Sequence, residues 1–366
     1  MHLGLTLVFL LLISPLPASA LQTSAGDVAV TQIAGDLDQP WAIGFLPGGA
    51  FLVTERDGVL LNFSADGKRR KVSGVPKVRA KGQGGLLDVM VPRDFAQSRE
   101  VFLSFSRPQG RSEGTAVGVG QLSADGSRLE NFRVIFELTP GSSGGRHFGS
   151  RIVEGRDGYL YITIGDRADR KSAQDLSVEN GSVIRIRRDG AVPASNPFAK
   201  QSGAQPEIWS YGHRNAQGAT LDAAGDLWVV EHGAQGGDEV NRIRKGANYG
   251  WPVISYGTHY TGAKIGEGTA KPGMEQPEHY WDPSIAPSGM MIYSGKLFPA
   301  WRGDIFVGSL KFDMISRLDG GTVREVERIE GDETIRVRDI REAPDGSIWF
   351  LSVGNDALYR MAPPGR

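Results

Sequence analysis

Six times along this chain a glycine-bearing turn leads into a short strand-like run of alternating character, at residues 50–55, 101–105, 159–164, 227–231, 305–309 and 348–352. Four of them have a close Asp/Gly turn in front: Asp157-Gly158, Gly225-Asp226, Gly303-Asp304 and Asp345-Gly346. Tight turns of this kind join antiparallel strands without splaying them. A unit recurring at roughly 40–80-residue spacing points to a propeller or another array rather than to an α/β enzyme with a single core. Six units predict an all-β fold, a six-bladed β-propeller. The chain's 50 glycines have no collagen period, and they supply the many turns such a fold needs.

In a propeller the innermost strand of each blade lines the central channel, so the residues that open it face one mouth. Ahead of the six runs stand Gln39-Pro40-Trp41, Gln83-Gly84-Gly85, His147-Phe148-Gly149, Arg214-Asn215-Ala216-Gln217, Pro283-Ser284-Ile285-Ala286-Pro287 and Arg336-Val337-Arg338-Asp339. Their starts would gather Gln83, His147, Arg214, Asn215, Gln217, Ser284, Arg336 and Arg338 around one opening. Each alone is as readily an ordinary loop residue; together they form a ring.

The N-terminus is a separate element. Residues 3–13 are almost unbroken apolar, followed by Ser14-Pro15-Leu16-Pro17 and the small-x-small sequence Ala18-Ser19-Ala20. The run is too short to span a bilayer and reads as a signal peptide, residues 1–20, cleaved after Ala20; ahead of it stand His2 and no Lys or Arg, which leaves an N-terminal membrane anchor as the alternative. Cleavage places the mature chain in the periplasm or outside the cell. Residues 21–366 are expected to form a single catalytic domain, since propellers of this length fold as one unit and no low-complexity linker interrupts them.

Net charge is −1 and the basic residues are dispersed, so nothing marks a nucleic-acid partner. Cysteine is absent, which excludes disulfides, thiolate metal sites and cysteine nucleophiles. There is no G-x-S-x-G nucleophile elbow. The six histidines show no i, i+4 pair for zinc, and no glycine fingerprint opens a nucleotide-binding helix.

What remains is a basic mouth carrying a histidine. Arg214, Lys311, Arg336 and Arg338 would stand close together, a cluster that costs folding energy unless an anion or carboxylates neutralise it. Asp166 lies about one strand–turn–strand from His147 and could hold its imidazole in one tautomer. The segment Glu231-His232-Gly233-Ala234-Gln235-Gly236-Gly237-Asp238-Glu239 places acidic residues beside a glycine-rich turn. It suits a hard cation such as Ca²⁺ about as well as it suits a plain polar loop.

Longer motifs add to this. Residues 83–88 (Gln-Gly-Gly-Leu-Leu-Asp), 146–149 (Arg-His-Phe-Gly), 206–215 (Pro-Glu-Ile-Trp-Ser-Tyr-Gly-His-Arg-Asn), 237–239 (Gly-Asp-Glu), 248–252 (Asn-Tyr-Gly-Trp-Pro) and 282–289 (Asp-Pro-Ser-Ile-Ala-Pro-Ser-Gly) occur in order. From Leu37 to Arg360 the chain resembles the soluble PQQ-dependent aldose sugar dehydrogenases of the glucose/sorbosone dehydrogenase-like family. The resemblance implies a six-bladed propeller that holds pyrroloquinoline quinone (PQQ) and Ca²⁺ at the channel mouth. It implies oxidation of aldose sugars at the anomeric carbon to lactones, with hydride passing to PQQ and electrons onward to an external acceptor.

Carried over position by position, the resemblance makes His147 the general base, Asp166 its orienting partner, and Arg214 the group that stabilises charge on the quinone oxygen. It assigns cofactor contacts to Gln83, Arg214, Asn215, Tyr256, Ser284, Lys311, Arg336 and Arg338. Main-chain carbonyls of Gly233 and Ala234 would hold the catalytic calcium, with Ala234 standing where the family usually has proline. Glu239 and Tyr249 match a second, structural calcium position. The segment Ser352-Val353-Gly354-Asn355-Asp356 is less acidic than its family counterpart and receives no site. A metal-dependent lactonase on the same fold would need carboxylate and Asn ligands on the axis, where His, Arg, Lys and Gln stand instead. A binding propeller without cofactor would not be expected to keep His147, Arg214, Asn215 and Lys311 together.

Overall fold

Each of the six runs becomes the second strand of an antiparallel sheet. The structure, a computed structural model, describes residues 19–365. Five sheets have four strands and the sixth has five. Blade one comprises Pro40–Phe45, Phe51–Glu55, Val59–Phe63 and Arg69–Val72. Blade two comprises Leu86–Met90, Glu100–Gln109, Ser112–Leu122 and Leu129–Glu137. Blade three is Ile152–Glu154, Leu160–Ile164, Ser182–Ile186 and Ile208–Tyr211. Blade four is Ala216–Leu221, Leu227–Glu231, Asp238–Arg242 and His279–Trp281. Blade five is Pro287–Ile292, Ile305–Ser309, Met314–Leu318 and Glu325–Glu330.

Blade six is made by both ends of the described chain. Val337–Glu342, Ile348–Ser352 and Ala357–Ala362 are joined by Gly26–Ala34, which pairs with Ala357–Ala362, and then by Ser19–Thr23. This pairing closes the ring without a disulfide. Ser19 and Ala20 pair with Val30 and Ala29, while the expected signal peptide otherwise falls on residues 1–18, outside the described residues. Among the described residues no helix is long and apolar enough to cross a membrane.

The alternation expected of the second strands is largely absent. Phe51–Glu55, Leu227–Glu231 and Ile305–Ser309 are buried at every position. A blade is covered on both faces by its neighbours, so polar residues move to outer strands such as Arg69–Val72 and Glu325–Glu330. One apolar cluster fills each gap between blades. Trp41 and Leu52 meet Leu86 and Phe105; Phe102 and Val119 meet Ile152 and Ile162; Val183 meets Ala216 and Val229. Val230 and Val240 meet Met290 and Val307; Phe306 and Ile315 meet Ile340 and Phe350; Leu351 and Leu358 meet Ile43 and Val53. The innermost strands neighbour one another around the ring.

Two features shape the channel. Gln39, Ala286 and Arg336 each directly precede an inner strand with φ of 47°, 54° and 51°. Such a left-handed step costs a non-glycine residue about 1–3 kcal/mol, and such strain gathers at functional sites. Deeper in, the 1 %-exposed Arg151 bridges Asp88 at 3.1 Å and Asp339 at 2.9 Å, its guanidinium 4.3 Å from the Trp41 ring centre. Arg341 reaches the same two carboxylates. Blades one, two, three and six are thereby tied at the axis.

Candidate active site

His147 lies in the segment entering blade three and Asp166 just beyond the end of that blade's second strand. Antiparallel pairing brings the two together, with Nδ1 2.6 Å from Asp166 Oδ1. Gly165 permits the approach: a Cβ there would stand 2.1 Å from the His147 carbonyl oxygen. The imidazole is also fixed from blade two, since Gln83 Oε1 accepts the His147 main-chain N–H at 2.7 Å. His147 itself has φ of 50°.

Asp166 has no exposed side-chain surface and accepts two further bonds, from Ala168 N–H at 2.8 Å to Oδ1 and from the Trp251 indole N–H at 2.8 Å to Oδ2. Burial works to raise its pKa, but the His147 contact, the Ala168 N–H and Arg214 outweigh it, and Asp166 is held below the usual carboxylate value. Burial lowers the His147 pKa, as do the charges of Arg214 and Arg167, and Asp166 only partly opposes them. The imidazole is therefore neutral at neutral pH. With Nδ1–H given to the carboxylate, the Nε2 lone pair is left as a base.

Two adjoining cavities of about 500 Å³ each meet at Gln83. One is lined by Gln83, Arg146, His147, Ala168, Arg170, Arg214, Ala234, Trp251, His259 and Tyr260. The other is lined by Trp41, Arg56, Asn215, Gln217, His232, Lys311, Arg336 and Arg338, among others. In the second, burial and the charges of Arg151, Arg56 and Arg336 push the Arg338 pKa down to about 9. It remains a cation at neutral pH, and the nearby Asp339, already bridged by Arg151 and Arg341, only partly offsets the crowding. Arg56 Nε is buried without a partner. His232 is held neutral, its pKa lowered to about 3 by burial and by Arg214, Arg338 and His147.

The acidic side of the mouth belongs to blade four. Asp238 accepts main-chain N–H groups of Gly233, Ile285 and Ala286, and Ser284 commits its hydroxyl to both Asp238 oxygens at 2.9 and 2.7 Å. Glu239 is pushed up to about 8 by burial and by Glu231 beside it. Asn241 donates to both Glu231 and Glu239, while its own Oδ1 is buried without a partner.

Of the residues singled out from sequence, Gln83, His147, Arg214, Asn215, Lys311, Arg336 and Arg338 line the two cavities, and Asp166 stands behind His147. Ala234 lines the His147 cavity; Gly233, Glu239 and Tyr249 line a narrow cleft behind Arg214. Ser284 faces Asp238 instead of a cavity. Tyr256 lines neither cavity: it stacks on Tyr280 with ring centres 4.0 Å apart, its hydroxyl 2.7 Å from Gln276 Oε1. The Tyr249 hydroxyl is engaged too, donating to the Arg242 carbonyl and accepting from Arg244 N–H.

Arg56, His232 and Trp251 were not singled out. Arg56 and His232 directly follow second strands, the place that Asp166 and Lys311 occupy within two residues. An antiparallel partner ends where the inner strand begins, so ends of second strands feed the mouth as surely as starts of first strands. Trp251 comes from the long excursion between the third and fourth strands of blade four, and no repeat position marks it.

The family profile described as Glucose / Sorbosone dehydrogenase matches residues 37–360. Aldose sugar dehydrogenase YliI of Escherichia coli (strain K12) is 44% identical over 356 residues, covering 94% of this chain and 96% of that protein. The crystal structure of the soluble aldose sugar dehydrogenase from Escherichia coli in the apo-form superposes with a TM-score of 0.88 at 42% identity, covering 92% of this chain and 99% of that one. The PQQ-bound aldose sugar dehydrogenase of Streptomyces coelicolor gives 0.76 at 27% identity, covering 95% and 99%. A propeller whose blades bring His147 onto Asp166 beside an arginine-lined cavity, matched along nearly its whole length, belongs to the glucose/sorbosone dehydrogenase family.

Proposed function

We propose that this chain is an exported quinoprotein dehydrogenase that oxidises aldoses at the anomeric carbon to lactones, using PQQ and Ca²⁺, and passes the electrons to an external acceptor. The observation that carries it is a neutral, carboxylate-anchored imidazole beside a cavity lined by Arg56, Arg336 and Arg338 and by no carboxylate. PQQ is a tricarboxylate, and its charge answers the depressed Arg338 and the unpartnered Arg56 Nε. Arg336, Arg338, Lys311, Asn215 and Gln83 would hold it. When bound, the quinone supplies the hydride acceptor and calcium the Lewis acid beside it.

The chain's own residues account for the proton. His147 Nε2 takes it from the anomeric hydroxyl, and Asp166 stabilises the resulting imidazolium through Nδ1–H. Arg214, on the wall of the same cavity, answers negative charge developing opposite the base. Partial burial of His147 disfavours its charged form and so keeps it available as a base.

For calcium, main-chain carbonyls of Gly233 and Ala234 would serve the quinone side. A second ion at Glu239 would draw on its carboxylate and on the orphaned Asn241 Oδ1, oxygens of the kind a hard cation takes, while the Glu231 oxygens already accept from Asn241 and the Arg214 N–H and meet His213. Any share from Tyr249 would come through its main-chain carbonyl, since its hydroxyl is engaged. The apolar leader supports export, and strand pairing closes a chain that has no disulfide to do so. The test is dye reduction with an aldose by apoprotein given quinone, Ca²⁺, both or neither. Activity with both alone is expected; nicotinamide-dependent activity without quinone would overturn the assignment.

A further inference from the structure

The outer wall of the His147 cavity carries cations and no carboxylate. Apart from His147, Arg214 and the Gln83 and Ala234 already discussed, its lining is Arg146, Ala168, Arg170, Trp251, His259 and Tyr260. Several exposed arginines, Arg70, Arg93, Arg128 and Arg242, sit against Asp125, Glu154, Glu130 and Asp226, while others among the described residues, such as Arg111 and Arg302, stand unpaired on the outer surface; Arg146 and Arg170 differ from both in lining the cavity that holds His147. Among the described residues Arg146 has no side-chain hydrogen bond or ion pair, and Arg170 touches only the His259 ring, Nη1 lying 2.9 Å from Nδ1.

A neutral hexose presents hydroxyl groups that donate as well as accept, and a wall built for it needs acceptors such as Asp, Glu or Asn. Arginine offers donors alone, in a fork that matches a carboxylate or a phosphate. The cavity, about 500 Å³, lies within the usual range for small-molecule sites.

From this we infer that the preferred substrate is an acidic aldose, a sugar with a free anomeric carbon at one end and a carboxylate or phosphate at the other. It rests on the dehydrogenase assignment above. His147 and Arg214 address the anomeric end, and Arg146 and Arg170 address the anion. Both arginines are exposed, so their pull is screened by salt and moderate in size.

The test compares glucose, glucuronate and glucose 6-phosphate in quinone- and calcium-loaded enzyme, wild type and the double variant Arg146→Gln/Arg170→Gln. At low ionic strength at least one acidic sugar should exceed glucose in kcat/KM by about tenfold, which is about 1.4 kcal/mol. The better of the two identifies carboxylate or phosphate. Raising the salt should shrink the ratio, and the double variant should abolish it. Glucose equal to or better than both acids, or a preference that survives in the double variant, would overturn the proposal. So would a variant effect confined to the rate with an acidic protein acceptor, which would assign the arginines to docking that partner. If no sugar is oxidised, binding still decides: calorimetry should show methyl glucuronoside binding more tightly than methyl glucoside, and equal binding would overturn it.

Discussion

Trp251 donates its indole N–H to Asp166 Oδ2 at 2.8 Å, on the oxygen opposite the one that meets His147. The same ring lies 5.3 Å from the Arg214 guanidinium. Trp251 thus touches both the carboxylate that holds His147 and the Arg214 guanidinium. Trp251→Phe keeps the ring and removes the donor. The carboxylate, with one bond fewer, should draw the imidazolium proton more strongly. The expected result is about a tenfold loss in the reductive half-reaction with the acid limb of the pH–rate profile moved upward, on the scale of one hydrogen bond to a charged group. Stopped-flow rates across pH check this, and an unmoved acid limb would leave Trp251 a packing residue only.

His147 should dominate the chemistry. His147→Gln is expected to slow quinone reduction by about 10²–10⁴-fold while quinone stays bound. Because burial, Arg214 and Arg167 lower the His147 pKa, kcat/KM should be flat through neutrality and fall only below pH 6.5. Arg214→Met removes a lowering influence and should move that limb upward. Asp166→Asn removes a raising influence and should move it downward, with a large loss of rate from the misplaced tautomer.

Quinone affinity should reside more in Arg338 than in Lys311. Lys311 is exposed at the rim, its ammonium 4.9 Å from the Phe312 ring centre. Arg338 is half-buried among Arg151, Arg56 and Arg336. Arg338→Gln should weaken quinone binding by about 10–150-fold, the range for a charge-assisted bond, and Lys311→Ala by less than tenfold. Removing a crowded cation should leave apoprotein Tm no lower than wild type, whereas the Tm gain on loading quinone should shrink. A quinone titration of each variant with Tm in both forms decides it; a larger loss in Lys311→Ala would reverse the assignment.

The repeat made the architecture legible because turn chemistry recurs at the same place in every blade. Four of the five strand starts read as polar reach the mouth region for the same reason, through Gln83, His147, Arg214, Asn215, Arg336 and Arg338. Ser284 misled because a hydroxyl near the channel found the buried Asp238 first. Tyr256 belongs to an excursion whose course no repeat dictates, and an exposed aromatic partner, Tyr280, captured its ring. Arg56 and His232 were readable only by asking where each second strand ends. Trp251 could not be placed at all without the fold, because its contact with Asp166 spans 85 residues.

Calcium should stabilise the protein before any quinone is present. The Glu239 and Asn241 side chains are in place together without a quinone contact. Calcium alone should therefore raise apoprotein Tm, and Glu239→Gln should remove most of that gain, following the mass-action relation between binding and stability. A full Tm response in Glu239→Gln would place the stabilising ion elsewhere.

The most direct test is a single turnover without oxygen. Apoprotein loaded with one equivalent of quinone and excess Ca²⁺ is mixed with an aldose, following the quinone absorbance and the sugar product together. One lactone should form for each quinone reduced, in wild type, with both events slowed alike in His147→Gln. Lactone formed while the quinone stays oxidised, or quinone bleached with the aldose unchanged, would contradict the account.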